Sequence, residues 1–259
     1  LVIGNPINHS LSPKLHNYWI KQHNLKATYS KKMVEKKDLK NIIEQIRSEK
    51  INGINVTVPF KQDVINYLDS LSPEAEKTKS VNTIYRQDNL VIGHNTDIAG
   101  FELAIRHVKF NVTKKKILVI GAGGVVSSIV CGLKNLKADK ICIMNRTKKK
   151  AENIKQLFAN VEILEWGDVE KFDMIINATS LGLNKKDSID INFKEVEKDT
   201  VFFDLIYNPT ETNFLKKAKD LMCRYENGKM MFIYQAHQSF TIWHKLMPNI
   251  NEKIIKLLD

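Results

Sequence analysis

Cysteine is scarce in this sequence, and its three residues stand far apart at Cys131, Cys142 and Cys223. A disulfide framework needs paired cysteines and a structural zinc site needs closely spaced ones, so neither is predicted and no metal site can be identified. The opening segment, LVIG, lacks the basic and apolar regions of an export signal. We therefore expect a protein of the reducing cytoplasm. Because the sequence starts at Leu1 and not at methionine, we also expect a few N-terminal residues to be missing.

Arginine is equally scarce: five of the 40 cationic residues are arginine, although the formal net charge is +11. The lysines are spread over many predicted helix faces and do not alternate with aromatic residues, as they would in a surface that stacks nucleic-acid bases. Scattered lysines are typical of a solvated surface. One uncharged run, 117–133, reaches only the lower limit of about 17 residues for a membrane span, and glycines lie at its centre. We predict neither a specific nucleic-acid partner nor a membrane partner.

The sequence does contain a regular alternation of short apolar runs with segments of helical period. This alternation is typical of an α/β fold with mostly parallel sheets. In the first part, the predicted strands are Val2–Gly4, Thr28–Met33, Gly53–Val58, Val81–Arg86 and Leu90–His94, and the predicted helices are Pro13–His23, Lys37–Glu49 and Gln62–Leu68. A further helix that starts near Thr96 leads into the polar stretch KFNVTKKK, which we interpret as a linker.

A second series follows this linker, with strands at Lys116–Ile120, Lys140–Met144, Val161–Leu164, Met174–Asn177 and Val201–Leu205 and helices at Val125–Leu136 and Lys148–Phe158. The tail from residue 229 has helical period but no strand of its own, so we expect it to pack back on the first domain. We therefore predict two domains. The first is an α/β domain with a mainly parallel sheet over 1–97 and 229–259, and the second is a Rossmann-type domain over 98–228.

The run ILVIGAGGVV places Gly121 and Gly123 between an apolar strand and a helix. A dinucleotide-binding fold needs glycine at this point, because the backbone must approach a pyrophosphate closely and the helix N-terminus must face it. The third position of the pattern is Val126 instead of glycine or alanine, which predicts looser packing of helix on strand. Because strand, turn and helix occur in the required order, we favour dinucleotide binding over a merely tight turn.

The residues after the next strand indicate which dinucleotide is bound. An NAD-binding domain of this type carries Asp or Glu there to bind the ribose 2′-hydroxyl, whereas this sequence has Asn145, Arg146 and Thr147. Arginine pairs with a 2′-phosphate, which a carboxylate would repel. We therefore predict NADP(H), with a surface arginine of no special role as the alternative. Ligands of open α/β sheets lie beyond the carboxyl ends of the strands, so Thr179 and Ser180 of INATSLG are predicted to line the same groove.

Three polar clusters mark the first domain: NHSLSPK at 8–14, NVTVPFK at 55–61, and VNT at 81–83 with GHNTDIAG at 93–100. Together with VIGAGGV, NRT, NATSLG, DLIYNPTET and QAHQSF, these motifs resemble those of the shikimate dehydrogenase family over nearly the whole chain. That family reduces 3-dehydroshikimate to shikimate with NADPH in the pathway to aromatic amino acids. The resemblance implies the same activity here, with the first domain as the substrate-binding and catalytic domain and the second as the NADP-binding domain.

The resemblance also implies roles for individual residues. Ser10 and Ser12 would bind the substrate carboxylate, and Lys61 and Asp97 would form the catalytic pair and contact the substrate. The remaining implied substrate contacts are Asn55, Thr57, Asn82 and Gln235, with Tyr207 from the second domain. The implied cofactor contacts are Gly121, Ala122, Gly123, Gly124, Val125, Asn145, Arg146, Thr147, Leu205 and Gly228.

Elementary chemistry accounts for the catalytic pair. Hydride addition to a ketone builds negative charge on oxygen, so a proton donor or cation must lie within hydrogen-bond reach. We expect Lys61 in the first turn of a helix that begins after Pro59, where the helix dipole would favour the neutral amine. Asp97 would favour the ammonium form and orient it. We therefore expect Lys61 to act as the acid in reduction and as the base in oxidation, with Asp97 as its partner. The sequence does not decide which of the two delivers the proton.

Each of these residues has a simpler interpretation when it is taken alone. Ser12, Thr96 or Asp97 would more often be a helix N-cap, and Asn55 and Thr57 would more often form a solvated strand face. Their occurrence as a set favours a site.

Two other functions stay open on the sequence. One is a quinate/shikimate dehydrogenase with relaxed substrate or NAD use. The other is a catalytically silent, ligand-sensing relative, which the presence of both Lys61 and Asp97 argues against. The sequence does not distinguish a monomer from a homodimer.

Overall fold

The computed structural model describes residues 1–167, 169–184 and 186–258. The chain divides into two compact units, Leu1–Gly100 with Ile233–Asp259 and Phe101–Phe232. The last residue of the predicted first domain, Asp259, lies outside the described residues. Each unit is built around its own sheet, so the predicted α/β fold class is confirmed.

The first unit contains a six-stranded mixed sheet in the order β2-β1-β3-β5-β6-β4. Strand β1 runs parallel to β2 and β3, β5 runs antiparallel to β3 and β6, and β4 runs parallel to β6. The strands are β1 (Val2–Gly4), β2 (Lys31–Met33), β3 (Gly53–Val56), β4 (Ser70–Leu71), β5 (Thr83–Gln87) and β6 (Leu90–His94). The helices are α1 (Ser12–Gln22), α2 (Leu39–Arg47) and α3 (Pro73–Thr78), with short 3-10 helices at Lys36–Asp38 and Asp63–Tyr67, and α4 (Asp97–His107) begins in this unit.

The second unit contains a six-stranded sheet that is parallel throughout, in the order β12-β11-β10-β7-β8-β9. Its elements are β7 (Lys116–Ile120), α5 (Val126–Asn135), β8 (Lys140–Met144), α6 (Lys148–Leu157), β9 (Val161–Leu164), β10 (Met174–Asn177), β11 (Val201–Asp204), α7 (Asn213–Asp220) and β12 (Arg224–Glu226). The strand order reverses between β7 and β10, as in the doubly wound dinucleotide-binding fold. The Rossmann-type prediction is therefore confirmed, and the apolar run 117–133 is divided between β7 and α5.

The tail forms α8 (Lys229–His244) and α9 (Glu252–Leu257), and it packs on the first unit as predicted. The indole nitrogen of Trp243 on α8 donates to the carbonyl oxygen of Ile84 on β5 at 3.1 Å. The same indole covers Gly53, where a Cβ would overlap the ring. Glycine on β3 is therefore what allows α8 to approach the sheet so closely.

One predicted helix is wrong, and several short elements escaped prediction. The segment predicted as the helix Gln62–Leu68 is a 3-10 helix over Asp63–Tyr67, because Leu68 is already extended (φ −98°, ψ 151°) on the way to β4. The predicted strand Gly53–Val58 ends at Val56. Missed elements are β4, β12, α3 and α7. The two missed helices carry ordinary start signals, since Ser72 and Thr212 each cap one with a side-chain oxygen.

Among the described residues, none of the helices combines the length and the apolar character that crossing a bilayer requires.

The first unit buries a histidine in an aromatic cluster. His16 on α1 lies parallel to the Tyr29 ring, with 4.1 Å between ring centroids, and also contacts Trp19 and Trp243. Neither of its ring nitrogens has a hydrogen-bond partner within the described part of the chain. Burial therefore lowers the pKa of His16 well below its ordinary value of 6.5, because a charged imidazolium would lose its hydration without compensation.

This burial predicts acid sensitivity of the fold. The unfolded chain binds a proton at position 16 near pH 6.5, whereas the folded chain does not, so stability falls as the pH drops below that value. The loss amounts to as much as about 1.4 kcal/mol per pH unit for one such group. His16→Phe keeps an aromatic ring against Tyr29 and removes this pH-dependent loss of stability. Urea unfolding at pH 7.5 and pH 5.5 measures it, with the exposed His9→Gln as the matched control. Equal pH dependence in wild type and His16→Phe would contradict the prediction.

Candidate functional site

The predicted catalytic pair is in direct contact in the first unit. The Lys61 ammonium Nζ donates to Asp97 Oδ2 at 2.5 Å, across 36 residues of sequence. The two side chains are only 10% and 7% exposed. Water screens such a pair weakly, and a buried pair persists only when further hydrogen bonds satisfy its remaining polar atoms.

Two asparagines are hydrogen-bonded to Asp97, one to its backbone and one to its carboxylate. Asn95 Oδ1 accepts from the backbone N–H groups of Asp97 and Ile98 at 3.0 and 3.3 Å, so Asn95 occupies the capping role at the start of α4. The Asp97 carboxylate is therefore not used as a cap. Asn82 Nδ2 donates to Asp97 Oδ1 at 2.9 Å, which leaves Oδ2 to Lys61.

The orientation of the Asn82 amide follows from a backbone group. Its Oδ1 accepts from the backbone N–H of Thr96 at 2.8 Å, and a backbone N–H can only donate. The amide nitrogen must therefore point toward Asp97, which fixes the assignment of the oxygen and nitrogen atoms of the Asn82 amide. The carboxylate is held from both sides, by Lys61 and by Asn82.

Lys61 does not lie in the first turn of an α-helix, so that prediction is wrong. It lies in a turn between β3 and the 3-10 helix Asp63–Tyr67, and its carbonyl oxygen accepts from the backbone N–H of Val81 at 2.8 Å. A five-residue 3-10 helix that begins two positions later does not provide the dipole of an α-helix. The ion pair with Asp97 is therefore the electrostatic feature that defines the surroundings of the ammonium.

Asn55 is buried among polar groups and does not belong to a solvated strand face. Its Oδ1 accepts from the Tyr29 hydroxyl at 2.6 Å, and its Nδ2 lies 3.0 Å from Ser239 Oγ and 3.2 Å from Thr83 Oγ1. Thr57 follows the end of β3 and is half-buried. The structure thus places Asn55 in a hydrogen-bonded network that reaches Asp97 through Asn82.

The network includes a residue that sequence reasoning missed, Ser239 on α8. Its hydroxyl oxygen lies 2.8 Å from Thr83 Oγ1 and 3.3 Å from Thr96 Oγ1. Gln235, a predicted substrate contact, lies one helical turn earlier, and its Oε1 is 3.5 Å from Asn82 Nδ2. The spacing of four residues between Gln235 and Ser239 puts both on one helix face, and this was the signal available in the sequence.

Ser10 and Ser12 also lie together. Ser10 Oγ donates to Ser12 Oγ at 3.2 Å and accepts from the Ser12 backbone N–H at 3.3 Å. Ser12 is the first residue of α1, and Leu11 occupies the cap position without a side-chain cap. Two adjacent hydroxyl groups at the N-terminus of an 11-residue helix suit a carboxylate, because the helix dipole is positive there.

The second unit forms the predicted glycine turn between β7 and α5. Gly121 has φ +115°, and a Cβ there would meet the carbonyl oxygen of Ala178 at 2.8 Å, so the turn requires glycine. A Cβ on Gly123 would meet nothing within 4 Å, so this side of the turn is open. Ala122, Gly124 and Val125 are half-buried around it, whereas Val126 is fully buried. An open turn at a helix N-terminus fits a pyrophosphate.

The end of β8 presents the residues predicted to distinguish NADP from NAD. Asn145 Nδ2 donates to the carbonyl oxygen of Thr147 at 2.8 Å and closes the turn, while Arg146 and Thr147 are exposed. An exposed guanidinium beyond the carboxyl end of a strand, with no carboxylate in the NRT turn, fits a 2′-phosphate. The residues present are therefore suited to NADP(H).

Two further loops follow β10 and β11. Thr179 donates from its backbone N–H and its hydroxyl to Asn177 Oδ1 at 3.0 and 2.7 Å, and Ser180 next to it is exposed. The Tyr207 ring stacks on Phe232 with 4.2 Å between centroids. Gly228 packs so closely on the backbone of Leu205 that a Cβ would overlap it.

The structure thus groups the predicted residues by unit. The first unit brings together Lys61, Asp97, Asn82, Asn55 and Gln235, and it also carries Ser10, Ser12 and Thr57. The second unit carries Tyr207 and the predicted cofactor residues. Over the ranges described, no group of three or more His, Cys, Asp or Glu side chains is arranged to hold a metal ion, and the three cysteines are buried and not joined in disulfides.

Comparisons with known proteins identify the family that the sequence matches. Residues 2–84 match the family model described as "Shikimate dehydrogenase substrate binding domain", and residues 102–214 match "Shikimate / quinate 5-dehydrogenase". A shikimate dehydrogenase (NADP(+)) of Pelagibacter ubique (strain HTCC1062) is 55% identical over 259 residues, which cover 100% of this chain and 98% of that protein.

Solved structures are similar over the same length. The crystal structure of shikimate dehydrogenase from Aquifex aeolicus has a TM-score of 0.89 at 34% identity and covers 99% of this chain and 95% of its own. A crystal structure of shikimate dehydrogenase in complex with NADP+ has a TM-score of 0.92 at 34% identity, with coverage of 99% and 93%. The resemblance predicted from the motifs is confirmed: the chain belongs to the shikimate dehydrogenase family.

Proposed function

We propose that this chain catalyses the reversible NADPH-dependent reduction of 3-dehydroshikimate to shikimate, a step of aromatic amino acid (chorismate) biosynthesis. The observation that carries the proposal is the buried Lys61–Asp97 contact in the unit whose sequence matches the substrate-binding domain of the family. A catalytically silent relative would not need to maintain two buried opposite charges at this position.

In this reaction the chain itself must transfer a proton to or from the substrate oxygen at the carbon that exchanges hydride. NADPH, when it is bound, supplies the hydride. Lys61 acts as the acid that donates a proton to the oxygen on which charge develops, and as the base in the opposite direction. Asp97 acts as its partner, and Asn82 keeps the second carboxylate oxygen occupied so that Oδ2 stays directed at Lys61.

Substrate binding is assigned to a set of polar side chains from both units. The Ser10 and Ser12 hydroxyl groups bind the carboxylate of the substrate at the positive end of α1. The polar contacts to the rest of the substrate come from Asn55, Thr57, Asn82, Gln235 and Tyr207. The substrate-binding domain comprises 1–97 and 229–259.

The cofactor lies on the second unit in this proposal, within a domain that comprises 98–228. The glycine turn binds the pyrophosphate, and Asn145, Arg146 and Thr147 bind the adenosine 2′-phosphate. Its other contacts are Ala122, Gly124, Val125, Thr179, Ser180, Leu205 and Gly228. The chain acts as a monomer or a homodimer, without a specific nucleic-acid partner. Its three buried cysteines, which are not joined in disulfides, suit a reducing cytoplasm.

A quinate/shikimate dehydrogenase with relaxed cofactor use is the second candidate. The matched family model names both substrates, which is the observation that favours it. Quinate carries a hydroxyl group where shikimate has its ring double bond, so the polarity of the pocket decides between them. The NRT turn favours NADP and with it the shikimate enzyme.

A steady-state assay with shikimate or quinate and NADP+ or NAD+ tests the function. We expect the highest kcat/KM with shikimate and NADP+. A marked preference for quinate with NAD+ would replace the proposal with the second candidate, and no turnover with any combination would reject both.

Lys61→Ala tests the catalytic role. We expect kcat to fall by roughly 10²- to 10⁴-fold, the range for loss of a general acid–base, while the Kd of shikimate changes much less. Lys36→Ala is the matched control, because it also breaks a 2.5 Å ion pair, with Asp63, but on an exposed side chain. Turnover that is unchanged in Lys61→Ala would sink the catalytic role.

Arg146→Ala tests the cofactor choice. We expect the KM for NADP+ to rise roughly 10- to 100-fold, since a charge-assisted hydrogen bond to the phosphate is lost, and the KM for NAD+ to stay the same. Arg106→Ala, an exposed arginine near the end of α4, is the control. If NADP+ and NAD+ are affected equally, Arg146 does not read the 2′-phosphate.

A further inference from the structure

A second buried carboxylate lies in the second unit. Asp204 ends β11 and is 0% exposed. Its donors are neutral groups: Asn177 Nδ2 at 2.9 Å and the Ile206 backbone N–H at 3.0 Å bind Oδ1, and the Thr212 hydroxyl binds Oδ2 at 2.5 Å. Both carboxylate oxygens are therefore used within the protein.

The register of the sheet creates this contact. Asn177 and Asp204 are the last residues of β10 and β11, and they are paired in register across these parallel strands. Side chains of register partners project from the same face of a sheet. The two loops that leave the sheet at this edge are thus joined by a side-chain bond at the point where each begins.

Asn177 holds the first of these loops. Its Oδ1 accepts from the backbone N–H and the hydroxyl of Thr179, and its Nδ2 also lies 3.2 Å from the carbonyl oxygen of Leu181. The Leu181 backbone N–H in turn donates to Thr179 Oγ1 at 3.0 Å. This loop carries Thr179 and Ser180, which the proposed function assigns to the cofactor.

Asp204 and Thr212 hold the second loop at both of its ends. The loop between them carries Leu205 and Tyr207, assigned above to cofactor and substrate. The Ile206 backbone N–H donates to Asp204 within the loop, and the Ile206 carbonyl oxygen accepts from the Gly228 N–H at 3.1 Å. The Asp204 carboxylate, at the start of the loop, is therefore bonded to the second loop residue, Ile206, and to Thr212 at the end of the loop.

Such a group is costly because its donors among the described residues are uncharged. Burial raises the pKa of Asp204 to about 6, which expresses the penalty for the charged form at this position. Apolar residues of similar size often replace buried charges without loss of stability. A carboxylate at this position is therefore better explained by loop geometry than by stability.

We infer that Asp204, through Asn177 and Thr212, is a positioning residue that sets the two loops carrying the cofactor and substrate contacts of this unit. The inference rests on the proposed function for the identity of the ligands. It extends that function to residues that act on ligand binding through the loops they hold.

Asp204→Ala and Thr212→Val test it, with direct titration of NADP+ in the absence of shikimate, and with kcat and KM for shikimate. We expect the Kd of NADP+ and the KM of shikimate to rise at least about tenfold in each variant, with kcat changed by less than about threefold. Thr212→Ser keeps the hydroxyl and should restore both constants to within about twofold of wild type. Because both variants break the same bond, their effects in the double variant should not add.

A control variant separates the loss of the Thr212–Asp204 bond from the loss of a helix cap. Thr212 also accepts from the Leu215 N–H at the start of α7, so Thr212→Val loses a cap as well. Asn251→Ala removes an equivalent cap from α9 and should leave the Kd of NADP+ unchanged.

Other outcomes have distinct meanings. Asp204→Ala could fold with a lowered unfolding midpoint and still show the wild-type Kd for NADP+ and KM for shikimate. That result would overturn the inference and leave Asp204 with a structural role alone. If Asp204→Ala does not fold, the Thr212→Val and Thr212→Ser pair decides in the same way. If the wild type binds NADP+ but does not oxidise shikimate, the proposed function fails. The NADP+ titration of the variants then still tests whether Asp204 positions the loops.

Discussion

The contact on which the site depends is a buried ion pair between two short segments of the first unit. Lys61 and Asp97 are both removed from water, so neither charge is tolerable without the other. The surrounding hydrogen bonds follow from this constraint. Asn95 caps α4 and releases Asp97 from that role, and Asn82 takes the carboxylate oxygen that Lys61 does not reach.

The first unit combines this buried polar network with an apolar core. Helix α2 buries Leu39, Ile42, Ile43 and Ile46 on the same cluster as β3 residues Ile54 and Val56. Helix α8 supplies both kinds of contact, because Ser239 joins the polar network while Trp243 covers Gly53. A C-terminal segment thereby joins a polar network whose other members lie within the first hundred residues.

The second unit solves a related problem with strand register. Loops at the carboxyl edge of a parallel sheet have few backbone partners of their own, so side chains must fix them. Asn177 and Asp204 do so because their strands end at the same level. In both units a buried carboxylate organises nearby polar groups, with a cationic partner in the first and with neutral donors in the second.

The sequence by itself determined the α/β class, the glycine turn and the residue types of the site, because apolar periodicity and glycine requirements are local properties of the chain. It also pointed to Lys61 and Asp97 through motifs, but it placed Lys61 on an α-helix that does not form and left α3, α7, β4 and β12 unassigned. The structure also showed that Asn95, and not Asp97, caps α4, a choice left open because Asn95, Thr96 and Asp97 are all residue types that can cap a helix. Only the tertiary structure decided that Ser239 and Asp204 belong to polar networks. Hydrogen-bond partners more than 25 residues apart are set by strand register and helix packing, which no local spacing records.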